Sequence, residues 1–217
     1  MKKLFLLLLP GMVFLAGEAK AQFQKGTAHW GATVSAEGTL NNFETYESNR
    51  LKTDLHTITP SVQFGKFFKD NSLFGVKLSP SFNYYKSDLK GPNSDDEYKS
   101  NNTNISLILF ARRYKFLSEK WAVFLEPSVN LSYYHGKNTA SDDETSNGYG
   151  GGIYIRPGIV YRISPRFAIE SDLNVLSVNL QYYHMKDWDT FHFNAGATSG
   201  IQSYFGLRAS WYLTKSN

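Results

Sequence analysis

Along most of the chain apolar and polar residues alternate with a period of two, which is the spacing of β-strands whose two faces meet different surroundings. The alternation is clearest over 121–133. There Trp121, Val123, Leu125, Pro127, Val129, Leu131 and Tyr133 share one face, and Ala122, Phe124, Glu126, Ser128, Asn130 and Ser132 share the other. The same pattern sets Ala28, Trp30, Ala32 and Val34 against His29, Gly31, Thr33 and Ser35, and Ile58, Pro60, Val62 and Phe64 against Thr57, Thr59, Ser61 and Gln63. It recurs from Phe74 to Tyr84, from Ile153 to Arg162 and from Ile201 to Leu213. Two further strands are less regular. The one near 103–114 carries Ile108 and Phe110 on its polar face. The seventh starts with Glu170, Asp172 and Asn174 on one face, which Leu176, Val178 and Leu180 then continue. A one-residue β-bulge near Val175 would restore its pattern.

The connections alternate in length. Residues 67–72, 115–120 and 163–166 are tight and polar, whereas 38–53, 86–102, 135–148 and 184–200 are long. Tyrosine pairs Tyr84-Tyr85, Tyr133-Tyr134 and Tyr182-Tyr183 recur at an interval of 49 residues, one hairpin per repeat. Eight strands, short turns at one end and long loops at the other predict an all-β fold. It is an eight-stranded antiparallel up-and-down transmembrane β-barrel with short periplasmic turns and long outer loops. The tyrosine pairs are expected at the outer interface. Phe67, Tyr114, Trp121, Phe167, Trp211 and Tyr212 are expected as the inner aromatic girdle.

Alternation alone does not say which face points inward. A soluble lipocalin-type barrel alternates too, with its apolar face around a ligand. Three features favour the membrane arrangement. The polar faces are mostly Gly, Ser, Thr and Asn and not mixed charges; the apolar faces are bulky enough to overfill a small barrel; and the paired aromatics sit at strand ends. With the polar face inward, charges enter the lumen and must pair. Glu126 and Arg156 fall at similar heights on neighbouring strands, and Glu170 or Asp172 approaches Arg208; Lys77, Arg112 and Arg162 extend the set. A lumen closed by ion pairs is expected, and these residues are read as structural.

Composition narrows the picture further. In 217 residues there is no cysteine, which excludes disulfide scaffolds, thiol nucleophiles and Cys-based zinc sites. Lys2 and Lys3, the apolar run from Leu4, and Ala19-Lys20-Ala21 read as a signal peptide over 1–21, leaving 22–217 as the barrel domain. Taking Lys2, Lys3, Lys20 and Glu18 from the totals leaves 20 basic and 18 acidic side chains, a net charge of +2. No dense basic cluster points to nucleic acid.

Candidate chemistry is thin. His184, Asp187, Asp189 and His192 lie together in the last long connection and could form a rim acid–base site or a metal clip, but their spacing matches no known ligand set. His135 follows a tyrosine pair. Gly148-Tyr149-Gly150-Gly151-Gly152 lacks the Lys-Ser/Thr of a phosphate loop and reads as glycines entering a tilted strand. No catalytic, cofactor-binding or metal residue is assigned.

The leader, the strand Leu73-Phe74-Gly75-Val76-Lys77-Leu78 after a Lys-Asp-Asn turn, and Ala111-Arg112-Arg113-Tyr114 resemble the small outer-membrane barrels of Bacteroidota. These belong to the porin-like group with barrels of OmpA, OmpX and OmpW type. The stretch Tyr204-Phe205-Gly206-Leu207-Arg208-Ala209-Ser210-Trp211 resembles the strand signal read by the barrel-assembly machinery, although Thr214-Lys215-Ser216-Asn217 follows where many members end on an aromatic. The resemblance implies a Gram-negative outer-membrane location, with outer-membrane lipids and that machinery as partners. The expected role is non-enzymatic: structural, adhesive or ligand-contacting through the outer loops, the loop ligand being undefined. A porin-like channel for small solutes and a rim-site lipid A-modifying or proteolytic enzyme are the alternatives.

Overall fold

A computed structural model describes residues 23–45, 49–90, 95–138, 145–173, 177–185, 188–196 and 207–213. The described residues form ten strands: β1 (Ala28–Thr45), β2 (Asn49–Lys69), β3 (Ser72–Lys90), β4 (Asp95–Phe116), β5 (Trp121–Asn138), β6 (Thr145–Ser164), β7 (Phe167–Asp172), β8 (Ser177–Met185), β9 (Trp188–Gly196) and β10 (Leu207–Leu213). Every pairing is antiparallel. A ring of eight closes in the order β1-β2-β3-β4-β5-β6-β7-β10, and β8 and β9 extend the wall from the outer part of β6. The expected barrel is present. The signal-peptide reading of 1–21 and the chain end Thr214–Asn217 lie outside the described residues.

Side-chain burial settles which face is apolar. Trp30, Val34, Ile58, Val62, Phe64, Phe74, Leu78, Phe82, Ile105, Leu107, Leu109, Leu125, Val129, Leu131, Ile153 and Trp211 are exposed on the outside. His29, Gln63, Lys77, Arg112, Glu126, Glu170 and Arg208 are buried inside. A wall that is apolar outward and polar inward is the arrangement a lipid solvent selects, because hydrocarbon offers outward polar side chains no hydrogen-bond partner.

The long connections are mostly strand. β1 runs to Thr45 and β2 resumes at Asn49; β3 ends at Lys90 and β4 begins at Asp95; β5 ends at Asn138 and β6 begins at Thr145. Segments expected as loops therefore continue as hairpins beyond the apolar band, and 46–48, 91–94 and 139–144 lie outside the described residues. The largest correction concerns 184–200. It holds β9, which pairs in register with β8 from Ser177↔Gly196 to Met185↔Trp188. Phe191 and Phe193, exposed together on the outer face, carry the alternation that marks it.

The irregular seventh strand is split into β7 and β8. Its expected bulge at Val175 lies outside the described residues, but the flanking registers define the irregularity. Five residues separate Asp172 from Val178, whereas only two separate their partners Gly158 and Ile155 on β6. Three extra residues are an odd number, so the faces exchange: Glu170 points inward below the break and Tyr182 points outward above it. The first residues of the expected eighth strand, 201–206, also lie outside the described residues; β10 is its inner part.

Prolines interrupt the wall where side chains compensate. Between Ile58↔Phe82 and Val62↔Leu78 the β2–β3 register places Pro60 opposite Pro80, and neither has an N–H to donate. On the inner face at this level Ser35 Oγ donates to the Thr59 carbonyl at 3.3 Å and Thr59 Oγ1 donates to Ser81 Oγ at 2.9 Å.

Candidate functional site: a closed ion layer in the lumen

The inner half of the lumen is built around Arg112. In β4 its neighbours alternate outward, so its side chain enters the barrel fully buried. Two glycines make room beside it. Gly75 on β3 stands opposite Phe110, and Gly158 on β6 stands opposite Phe124. A Cβ on Gly158 would lie 2.0 Å from Phe124 Cζ, and one on Gly75 would lie 2.5 Å from Phe110 Cζ. Each phenyl ring thus lies flat over a neighbouring glycine. The Arg112 guanidinium sits against both rings, 4.7 Å from the Phe110 centroid and 4.8 Å from that of Phe124.

The polar contacts of Arg112 reach four strands. Nε donates to Glu126 Oε2, Nη1 donates to Glu170 Oε2 at 2.7 Å and to Tyr114 Oη at 3.4 Å, and Nη2 donates to Gln63 Oε1 at 3.1 Å. Arg208 donates through Nη1 to Glu170 Oε2 at 2.9 Å and through Nη2 to Asp172 Oδ2 at 2.7 Å. Lys77 Nζ stands 3.8 Å from Glu126 Oε1, and the Tyr212 hydroxyl donates to Glu170 Oε1. His29 Nε2 is 3.5 Å from the same oxygen. Three cations, Lys77, Arg112 and Arg208, therefore face three carboxylates, Glu126, Glu170 and Asp172. Burying an ion without a partner costs several kcal/mol, roughly 3–5 when one member of a buried pair is removed. The layer avoids this by mutual neutralisation.

Several expected positions change. Glu126 lies in register with Arg156 on β6, yet its ion-pair partners are Arg112 and Lys77. Arg112 is equally in register on β4 and extends toward the barrel centre, where Glu170 and Gln63 also receive it. The Arg156 guanidinium instead lies 4.6 Å over the Tyr154 ring. Arg208 is shared by Glu170 and Asp172 and does not choose between them. Arg162 stands apart, against Phe23 and Phe116.

The girdle divides as well. Trp121 packs on Tyr161 and Phe167 on Trp211 at the outside of the inner end. Phe67, Tyr114 and Tyr212, expected with them, are buried inside the mouth. Of each tyrosine pair only one member can face outward, since adjacent strand residues point to opposite sides. Tyr84, Tyr133 and Tyr182 lie on the outer face. Tyr85 packs on Tyr98, and Tyr134 on Tyr183, across the inner face.

The side-chain hydrogen bonds described in the outer half of the lumen join neutral groups. Thr57 Oγ1 donates to Asn83 Oδ1 at 2.7 Å, Ser106 and Ser132 share a hydrogen bond of 2.9 Å, and the Gln181 amide donates to the Tyr154 hydroxyl. On the outer surface above the apolar band, His184 Nδ1 meets Asp189 Oδ1 at 2.6 Å, and the Tyr182 hydroxyl donates to the same oxygen at 3.1 Å. These two neighbours hold the Asp189 carboxyl below its ordinary range. His192 pairs in register with Gln181 and is on the opposite face of the hairpin, so it does not join His184 and Asp189 in one site; Asp187 lies outside the described residues. His135 hydrogen-bonds Asn147 Oδ1 at 2.7 Å. His56 lies 2.7 Å from Asp54 Oδ1. On β3 and β4, Lys86 reaches Asp88 at 3.0 Å and Glu97 at 3.5 Å; Lys99 also contacts Glu97 and holds its carboxyl below the ordinary range.

The β9 strand and the role of Arg112 had signals in the chain. Two β-forming runs flank Lys186-Asp187, a hairpin spacing. Gly75 and Gly158 each fall opposite a phenylalanine once strands are paired.

No family model matches the chain, and no curated protein matches it. Solved structures with a similar arrangement include Neisserial surface protein A (NspA), at 13% identity over 89% of this chain and 96% of that one, with a TM-score of 0.37. The outer membrane protein OprG from Pseudomonas aeruginosa is 12% identical over 90% of this chain and 92% of its own, with a TM-score of 0.40. The beta domain of the Bordetella autotransporter BrkA is 10% identical over 87% and 99%, with a TM-score of 0.32.

Proposed function

We propose that the chain is an integral outer-membrane protein of a Gram-negative, Bacteroidota-like envelope, exported by its N-terminal signal peptide and inserted by the barrel-assembly machinery. Its role is non-enzymatic. The barrel is anchored by outer-membrane lipids and holds outer hairpins that provide structural, adhesive or ligand contact. One observation carries the reading: three buried cations, Lys77, Arg112 and Arg208, pair with three buried carboxylates, Glu126, Glu170 and Asp172, across the lumen, and ions paired in this way favour a lumen closed at that level. The outward apolar face supports the membrane setting. A pore would need those charges separated by water, and a rim enzyme would need a base oriented toward a nucleophile or water.

The test is folding of the mature chain into lipid, with gel mobility compared before and after boiling and planar-bilayer conductance on the same preparation. Heat-modifiable migration without conductance is expected. Stable single-channel steps would replace this reading with the porin-like one, and a protein that stays folded and soluble without detergent would remove the membrane setting.

A further inference from the structure

Residues Phe23–Thr27 precede β1 and are not part of the ring, yet they fold across its inner mouth. The Phe23 ring is 4% exposed. It stacks on Tyr212 at 4.1 Å and 15°, and it touches Phe67 at 5.0 Å and the edges of Tyr114 and Phe116 at 5.1 Å. The Arg162 guanidinium closes over it at 5.4 Å. These rings are the floor of the ion layer: Tyr212 donates to Glu170, and Tyr114 accepts from Arg112.

The segment is fastened by its backbone to the β2–β3 turn. Phe23 N donates to Asn71 Oδ1 at 2.9 Å, and Asn71 N donates back to the Phe23 carbonyl at 2.9 Å. Lys25 N donates to Asp70 Oδ1 at 2.8 Å, Gly26 N donates to the Phe67 carbonyl at 2.7 Å, and Phe67 N donates to the Thr27 carbonyl at 2.9 Å. Asn71 has φ 56°, the left-handed conformation that Asn tolerates better than most side chains, so turn geometry and clamp reside in one residue. Gly26 has φ 90°, where a side chain is disfavoured, and it turns the segment back into β1.

We propose that Phe23–Thr27 is a stopper: a short strap, separate from the wall, that seats one phenyl ring in the inner mouth and keeps water and solutes off the ion layer above it. The strap deepens the closed-lumen reading and rests on it for the region beyond the ion layer. Its seat is a set of aromatic faces and five hydrogen bonds to Phe67, Asp70 and Asn71, and its release would expose Tyr212, Tyr114 and then Glu170 from the inner side. Sealing does not depend on Phe23 holding the barrel together, because the ring of eight strands pairs without it.

The chain has no native cysteine, so a single introduced thiol reports access without background. Ser210 is fully buried on the inner face of β10, and its hydroxyl has no hydrogen-bond partner among the described residues. Ser210→Cys in the folded, heat-modifiable protein should react slowly with a bulky charged maleimide. Adding Phe23→Ala should raise that rate at least ten-fold. Adding Asn71→Gly, which keeps the left-handed turn and removes the side-chain clamp, should raise it by a smaller factor; it serves as the second arm if Phe23→Ala fails to fold. Equal rates in a folded Phe23→Ala protein, or in Asn71→Gly where that is the arm available, would overturn the stopper. Conductance of the parent protein is read in parallel. Channel steps in the parent would sink the closed-lumen reading alone, and the thiol ratio would still decide whether the strap seals the mouth.

Discussion

The two halves of the lumen solve the same packing problem with different chemistry. The inner half is crossed by full charges, ring faces and a shared guanidinium, and it lies within the closed ring of eight strands. The outer half is lined by hydroxyls, amides and tyrosines that bond in local pairs. In the inner half one residue such as Glu170 serves Arg112, Arg208 and Tyr212, so its removal strands several groups at once. In the outer half the bonds join neutral groups, in pairs or in a short chain such as Asn130–Ser132–Ser106, and the loss of one strands no ion. Cooperative, high-stakes polar networks rigidify, whereas isolated neutral pairs leave a wall free to vary. On the proposed reading, closure belongs to the first region and recognition to the hairpins above the second.

The sharpest challenge to this contrast is Glu170→Ala. It should destabilise the barrel by about 3–5 kcal/mol, the cost of leaving buried cations uncompensated, measured by urea unfolding in lipid vesicles. A change near zero would mean the inner network is not cooperative. Next comes Gly158→Ala. Its methyl group would meet the Phe124 ring, so Phe124 must leave the Arg112 face, and a loss of about 1–3 kcal/mol is expected by the same measurement. Ser106→Ala, in the outer half, breaks one neutral hydrogen bond to Ser132 and should cost about 1 kcal/mol. A loss as large as that of Glu170→Ala would erase the distinction between the halves.

The smallest effect is expected at the outer surface. Asp189 is depressed by His184 and Tyr182, so its favourable contribution is present above the ordinary carboxylate pKa and is lost as pH falls through the lowered folded value. Because the pair is exposed, stability should hardly follow this titration. The carboxyl-carbon NMR titration of Asp189 should nevertheless move up toward the ordinary midpoint in His184→Ala, and an unmoved midpoint would dissolve the pair.

Much of the architecture was legible because lipid and lumen impose opposite chemistry on alternate residues. Trp121 to Tyr133 could be assigned to faces before any strand was paired. The identity of lumen contacts was less legible, because a long side chain selects among several partners at similar height. Glu126 lies between Arg112 and Arg156, and only the central position of Glu170 and Gln63 explains why Arg112 takes it. The tyrosine repeat marks one hairpin per unit, but adjacent strand residues cannot share a face, so only one tyrosine of each pair can belong to an outer girdle. Phe23 was invisible for another reason, since a lone aromatic ahead of the first strand has no periodicity to mark it.

The three surplus residues between β7 and β8 act on the wall as a frameshift acts on a message. β8 is read with the opposite parity to β7, which is how Tyr182 comes to lie outside and Gln181 reaches Tyr154 inside. The segment therefore tolerates length changes by parity. Removing one residue between Leu173 and Ser177 would turn Tyr182 into the lumen and Gln181 into the lipid-facing surface, whereas removing two would leave both where they are.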